Sequence, residues 1–317
     1  GKTSITIPIG KTPITRKIKS LTIIIRSYTF GDAENNKVML DQNKMRIFNL
    51  PKIEYTLRTI KSIVNSCEKA KKFFNDIEIK IIVTDDKSKE ENLNKINQIL
   101  QDSKLETKII SLKEDEFNKD IKILDTKGKN ISNNMISNMR NILKSIEIAE
   151  KNYKGLVIAN QGANFSVGAN IAMIFMMAIE QEYDEIDFAV RAFQNTTGRI
   201  RYSSIPVVVA THGLTLGGGC EIALHADHVQ ASAETYIGLV EMGVGVIPGA
   251  GGTKEMAARA SNAYFSGDIQ LPTIKERYLN IGMAKVATSA QEAIELDLLL
   301  KNRDKVMKKL NASGIGA

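Results

Sequence analysis

Over the first hundred or so positions, continuous apolar runs alternate with stretches in which apolar residues recur every three to four places. The runs at 21–28 (LTIIIRSY), 77–86 (IEIKIIVTDD) and 105–112 (LETKIISL) read as buried strands, because short, nearly unbroken apolar stretches suit a sheet covered on both faces. Between them Ile53, Leu57, Ile60, Ile63 and Val64 mark a helix starting near residue 51, and 92–100 reads as a second helix. The order βαβαβ is that of an open parallel sheet. Ligands of such sheets gather at the carboxyl ends of the strands, where Asp85 and Asp86 fall. The competing reading is that these acids cap the following helix, near Ser88.

Beyond that region the pattern predicts a strand at 121–127, a long amphipathic helix at 132–151 and an apolar strand at 155–160. A glycine turn at 163–171 then leads into a helix apolar almost all round (AMIFMMAI), where Met173, Met176 and Met177 read as core or subunit interface before an adaptable acyl pocket. A further buried strand follows at 206–213. The run 216–230 reads as glycine loop, helix and strand, and glycine stays dense up to Gly252.

Composition adds bounds to this picture. The 317 residues are 43% hydrophobic and 25% charged with 6 Pro, which argues against disorder and low-complexity classes. No apolar run reaches the length of a membrane span and the N-terminus lacks a signal-peptide pattern, so neither a span nor secretion is expected. Cys67 and Cys220 are too few for a disulfide framework, which suits a reducing, cytoplasmic location, and both are expected as buried free thiols. The net charge of +7 is unevenly placed: residues 1–150 carry 28 Lys and Arg against 20 Asp and Glu, and the rest 15 against 16. The lysines lack the interleaved aromatics of a nucleic-acid groove and read as a solvated face.

The chemistry concentrates in the neutral half. Gly217, Gly218 and Gly219 turn from a strand into a helix expected to begin near Cys220, exposing N–H groups where the helix dipole favours negative charge. Gly168 repeats the device, with the N–H of Ala169 expected to open the next helix. Two such donors are what an oxyanion hole requires. Glu221 and Glu241 stand in otherwise apolar, glycine-rich sequence, where a carboxylate is costly unless paired or used. Two carboxyls beside one oxyanion hole can hold a water between them, one as base and one as acid. His212, His225 and His228 lack metal-site spacing and read as core or surface histidines, so no metal is expected.

On FSVGANI, ATHGLTLGGGCEIALHAD and ETYIGLVEMGVGVIPGAGGT, residues 121–308 or thereabouts resemble the crotonase superfamily, and most closely the enoyl-CoA hydratase segment of bacterial multifunctional fatty-acid oxidation proteins. The resemblance implies an α/β fold with a spiral of ββα units and reversible addition of water to trans-2-enoyl-CoA. It places Glu221 and Glu241 as catalytic acids, Ala169 and Gly218 as oxyanion donors, and Phe165, Gly168, Gly217 and Gly249 against the substrate. It further implies no cofactor beyond the CoA of an acyl-CoA thioester substrate, and a homotrimer or hexamer with neither nucleic acid nor membrane as partner. Asn170 and the apolar run after it depart from the family's acidic and basic residues there, and no GxGxxG follows a strand, so hydride transfer is not supported. Residues 20–115 resemble the N-terminal, nucleotide-sugar-binding half of family 2 glycosyltransferases, through IIIRSY, LRTIKSI and IIVTDDKS. That implies a small Rossmann-like (GT-A-like) domain whose Asp85 or Asp86 would contact a nucleotide. The acids at 114–116 lack the preceding strand of that family's metal motif and read as a solvated turn. Domains are expected at 1–117 and 118–317, and the alternatives to a hydratase are a glycosyltransferase-like protein or a non-catalytic chimera of two partial domains.

Overall fold

The computed structural model describes residues 19–27, 29, 51–113, 116, 117, 130–160, 162–300 and 309, with backbone alone at 52 and 130–135. They fall into two compact units that part between Leu112 and Lys113. The strand expected at 121–127 lies outside the described residues, as do Glu114 and Asp115.

In the first unit the order is β1 (Ser20–Ser27), α1 (Lys52–Phe73), β2 (Glu78–Asp85), α2 (Glu90–Gln101) and β3 (Glu106–Ser111). All pairing is parallel, with β2 in the middle: Ile25 lies opposite Val83, and Val83 opposite Ile109. A central parallel strand is covered on both faces, which is why β2 is buried from Ile81 to Asp85 while the edge strand β3 is not. The helices supply the cover. Ile53, Ile60, Val64 and Cys67 of α1 and Ile96 and Leu100 of α2 recur on one face of each helix and pack on Ile79, Ile81 and Val83. Each such side chain contributes about 1.5–3 kcal/mol of burial.

The second unit opens with α3 (Asn130–Asn152), β4 (Leu156–Ala159), α4 (Ile171–Ile179) and α5 (Tyr183–Arg201). Then come β5 (Val207–Thr211), β6 (Leu214–Leu216), α6 (Gly218–His225), β7 (His228–Ala231) and β8 (Tyr236–Gly238). A 3-10 turn (Glu241–Val244), α7 (Gly252–Asn262), α8 (Leu271–Gly282), β9 (Val286–Ala287) and α9 (Ala290–Glu295) complete it. One sheet runs β4-β5-β7, all parallel; the other runs β6-β8-β9, parallel and then antiparallel. The two sheets and α6, α7 and α9 enclose one core around Val209, Cys220, Leu224, Ile237 and Met256. A second packing line joins Ile136, Met139 and Leu143 of α3 to Phe188 and Ala192 of α5.

The all-round apolar α4 was expected in the core or at a subunit interface; in the single chain none of its residues is buried and Phe175 is 64% exposed. It packs against α5, with Met173 and Met177 half-buried and Met176 exposed. By contrast α5, which the apolar pattern did not predict, buries Phe188, Ala192, Thr196, Thr197 and Ile200. Three of those five are Ala or Thr, too weakly apolar to show as a period. Both cysteines are buried free thiols.

Candidate active site

Two turns form the floor of the site. The segment after β4 runs beside β6: the Ser166 N–H donates to the Leu214 carbonyl (3.1 Å) and the Leu216 N–H to the Ser166 carbonyl (2.8 Å). The Ser166 hydroxyl accepts the Gly168 N–H at 3.2 Å. Gly168 has φ +88°, and a Cβ there would lie 3.3 Å from the Gly218 nitrogen and 3.2 Å from the Leu216 carbonyl oxygen. At Gly217, also left-handed at φ +54°, the N–H donates to the Gly238 carbonyl at 3.0 Å. A Cβ on Gly219 would meet the Ser166 Cβ at 2.6 Å. Only glycine lets the 166–169 turn and the start of α6 approach this closely.

The structure corrects two details here. The α6 helix begins at Gly218, two residues before the expected Cys220, so Gly218 and Gly219 are its first peptides. The α4 helix begins at Ile171 with Asn170 as N-cap, so the Ala169 N–H belongs to the turn before the helix rather than opening it.

Glu221 and Glu241 flank the glycines. The position of a Cβ on Gly217 lies 3.5 Å from Glu241 Oε1, and that of a Cβ on Gly218 lies 4.0 Å from Glu221 Oε2. Neighbouring peptides of one turn thus face one carboxyl each. Both carboxylates are buried. Glu221 Oε1 accepts the Gly252 N–H at 2.9 Å. Burial pushes the Glu221 carboxyl up to about 7, the Gly252 and Ala250 N–H groups opposing and the Glu241 charge adding to the rise. Burial likewise raises Glu241, against N–H bonds from its own backbone and that of Val240. Its Oε2 is buried and makes no hydrogen bond among the described residues.

The rest of the lining was not legible from residue types. Gln194 and Thr197 of α5 donate to the Gly249 and Ala250 carbonyls at 2.8 Å each, fixing the turn that presents the Gly252 N–H. Phe193 comes 3.6 Å from the Cβ position of Gly218. Gly249 packs on Val190. Phe165, expected against substrate, has its side chain buried with Val209 and Leu224. His212 Nε2 meets the Gly162 carbonyl at 2.7 Å, and His225 is buried at the end of α6. No cluster of three metal-ligating side chains exists among the described residues.

Asp85 and Asp86 belong to the first unit. Asp85 Oδ2 accepts the Ser88 N–H at 3.1 Å, and burial raises its carboxyl while hydrogen bonds from Ser88 and Ser27 oppose the rise. The Ser88 hydroxyl accepts the Thr29 N–H, and Asn92 donates to the Thr29 hydroxyl at 2.9 Å, so Asp85 closes the turn between β2 and α2. Glu116 is half-buried and paired with Lys144 at 2.5 Å, not free in a solvated turn.

Residues 119–264 match the enoyl-CoA hydratase/isomerase family. Among individual relatives, a protein of Bacillus subtilis (strain 168) named as a 3-hydroxyacyl-CoA dehydrogenase is 49% identical over 165 residues, 52% of this chain and 20% of its own. A Rickettsia felis protein named as the trifunctional enzyme of a fatty acid oxidation complex is 38% identical over 112 residues, 35% of this chain and 16% of its own. The chain thus spans about a fifth of the length of the curated relatives it matches. Of solved structures, the enoyl-CoA hydratase from Bacillus anthracis gives a TM-score of 0.41 at 26% identity, over 56% of this chain and 63% of that one. The enoyl-CoA hydratase from Polaromonas sp. JS666 gives 0.43 at 23%, over 56% and 65%.

Proposed function

We propose that the second unit is an enoyl-CoA hydratase that adds water reversibly across a trans-2-enoyl-CoA to give the 3-hydroxyacyl-CoA. The observation that carries this reading is the pair of buried carboxyls, Glu221 and Glu241, set against consecutive glycines at the start of α6. The water oxygen bonds to C3 as one carboxylate takes its proton. The C2–C3 π pair moves toward the thioester carbonyl, and the other carboxyl delivers a proton to C2 as that charge returns. Both new bonds form on one face. The N–H groups of Gly218 and Ala169 are the donors for the transient oxyanion, and losing one such donor costs about 2.7–4 kcal/mol of transition-state stabilisation. One carboxyl must enter protonated and the other ionised, which suits two groups both raised above the ordinary carboxylate range. No metal or redox group is assigned a role. Assembly into trimers or pairs of trimers belongs to the same proposal.

The test is hydration of crotonyl-CoA by the purified chain, followed by loss of the enoyl-thioester absorbance. Glu221→Gln and Glu241→Gln should each lower kcat on the order of 100-fold or more. A folded chain without activity, or full activity in both variants, sinks the reading.

A further inference from the structure

The site's supporting layer contains a histidine for which the proposed chemistry has no use. His225 is the last residue of α6 and fully buried. Its Nδ1 lies 2.7 Å from the backbone oxygen of Glu221, one turn back. A carbonyl can only accept, so Nδ1 carries the ring proton, and the neutral ring leaves Nε2 bare. Nε2 makes no hydrogen bond among the described residues.

The other edge of the ring props the opposite wall. A Cβ on Gly251, itself left-handed at φ +99°, would lie 3.0 Å from both Cε1 and Nε2 of His225. The next residue is Gly252, whose N–H holds the Glu221 carboxylate at 2.9 Å. One imidazole therefore touches the backbone of Glu221 and the turn that grips its side chain. Several charged or titratable groups surround it. Glu255 of α7 places Oε1 3.7 Å from Nε2, beyond hydrogen-bond reach, and is itself paired with Arg201 of α5 at 3.3 Å and Lys254 at 3.4 Å. Arg259 of α7 donates to the Leu224 carbonyl at 3.0 Å. Cys220 and Glu221 complete the set on α6, with Glu241 beyond them. Burial favours the uncharged imidazole.

We propose that His225, as a neutral Nδ1–H imidazole, is a positioning residue for Glu221: it locks the last turn of α6 to the Gly251 turn and so keeps the Gly252 N–H on the Glu221 carboxylate. Without that lock the N–H bond slackens, the ionised form loses support, and Glu221 takes up its proton at higher pH.

The activity arm of the test rests on the hydratase reading; the spectroscopic arm does not. Leu and Asn have nearly the same shape, but only Asn carries a donor near the place of Nδ1. His225→Leu should lower kcat about tenfold with KM little changed and move the pH limb of kcat upward by about half a unit or more. His225→Asn should hold kcat and the limb much closer to wild type. Identical profiles for the two variants, or an unmoved limb in His225→Leu, overturn the proposal.

Nitrogen-15 NMR of the intact protein needs no turnover, and its wild-type readout needs no His225 variant. His225 should show protonated Nδ1 and bare Nε2, with ring shifts that step where Glu221 titrates, near pH 7, and the step should vanish in Glu221→Gln. An Nε2–H tautomer, or ring shifts indifferent to that step, overturns the proposal. An inactive chain that shows the tautomer and the step sinks the hydratase reading alone and keeps His225 in place.

Discussion

Glu221 carries a stability signature as well as a proposed chemical one. Its carboxyl is about 7 when folded against an ordinary 4.5. Below 4.5 both folded and unfolded chains hold the proton. Between 4.5 and 7 the folded chain keeps a proton that the unfolded chain releases, so stability falls as pH rises, by ~3 kcal/mol in total once pH passes 7. Glu221→Gln keeps an oxygen for the Gly252 N–H and abolishes the titration. The gap in Tm between Gln and Glu forms should be near zero at about pH 4 and open in favour of Gln toward about pH 8; a pH-independent gap in thermal denaturation contradicts this. Glu221 and Glu241 were legible in the sequence because a charge inside apolar, glycine-rich chain is conspicuous. The Gly252 N–H and the Ser166 hydroxyl were not, since a backbone donor leaves no mark of residue type and a lone serine is commonplace.

At the scale of elements, the contact between the 166–169 turn and α6 is the joint on which the site depends. Gly219→Ala would set a methyl 2.6 Å from the Ser166 Cβ, with the Ser166 carbonyl oxygen only 3.0 Å away. Neither neighbour is a flexible side-chain end, so the backbones must part. Urea denaturation should show a loss of about 1–3 kcal/mol. Ser166→Gly in the same chain should restore part of that loss although it is itself unfavourable, a coupling that a double-mutant cycle measures. Additive effects would mean the two turns do not press on each other. Strands and long helices were legible where apolar residues carried their period, as in α1, where Ile53, Ile60 and Val64 are all buried. The period failed for α5, whose buried face includes Thr196 and Thr197.

For the whole chain, composition gave the two-part texture but not the place of the join. The excess positive charge lies in residues 1–150, whereas the candidate site lies in a nearly neutral stretch. Among the described residues no helix is long and apolar enough to cross a membrane. Several large apolar side chains of the second unit remain open to solvent, Leu271 and Tyr278 of α8 at 72% each. The turn at Gly168, the glycines at 217–219 and Glu241 were already legible together in the sequence; the Gly252 turn was not, and the site draws Ser166, Gly218, Glu241 and Gly252 from a span of some ninety residues, through crossovers between parallel strands.

Those crossovers also govern time. Parallel pairs such as β5 with β7 close only after the intervening chain has been ordered, which makes such topologies slow to form relative to local helix. In refolding from urea, the far-ultraviolet helical signal should therefore return before catalytic competence does. Turnover would then clock the last event of folding: the moment the segments bearing Glu221 and Glu241 come into register.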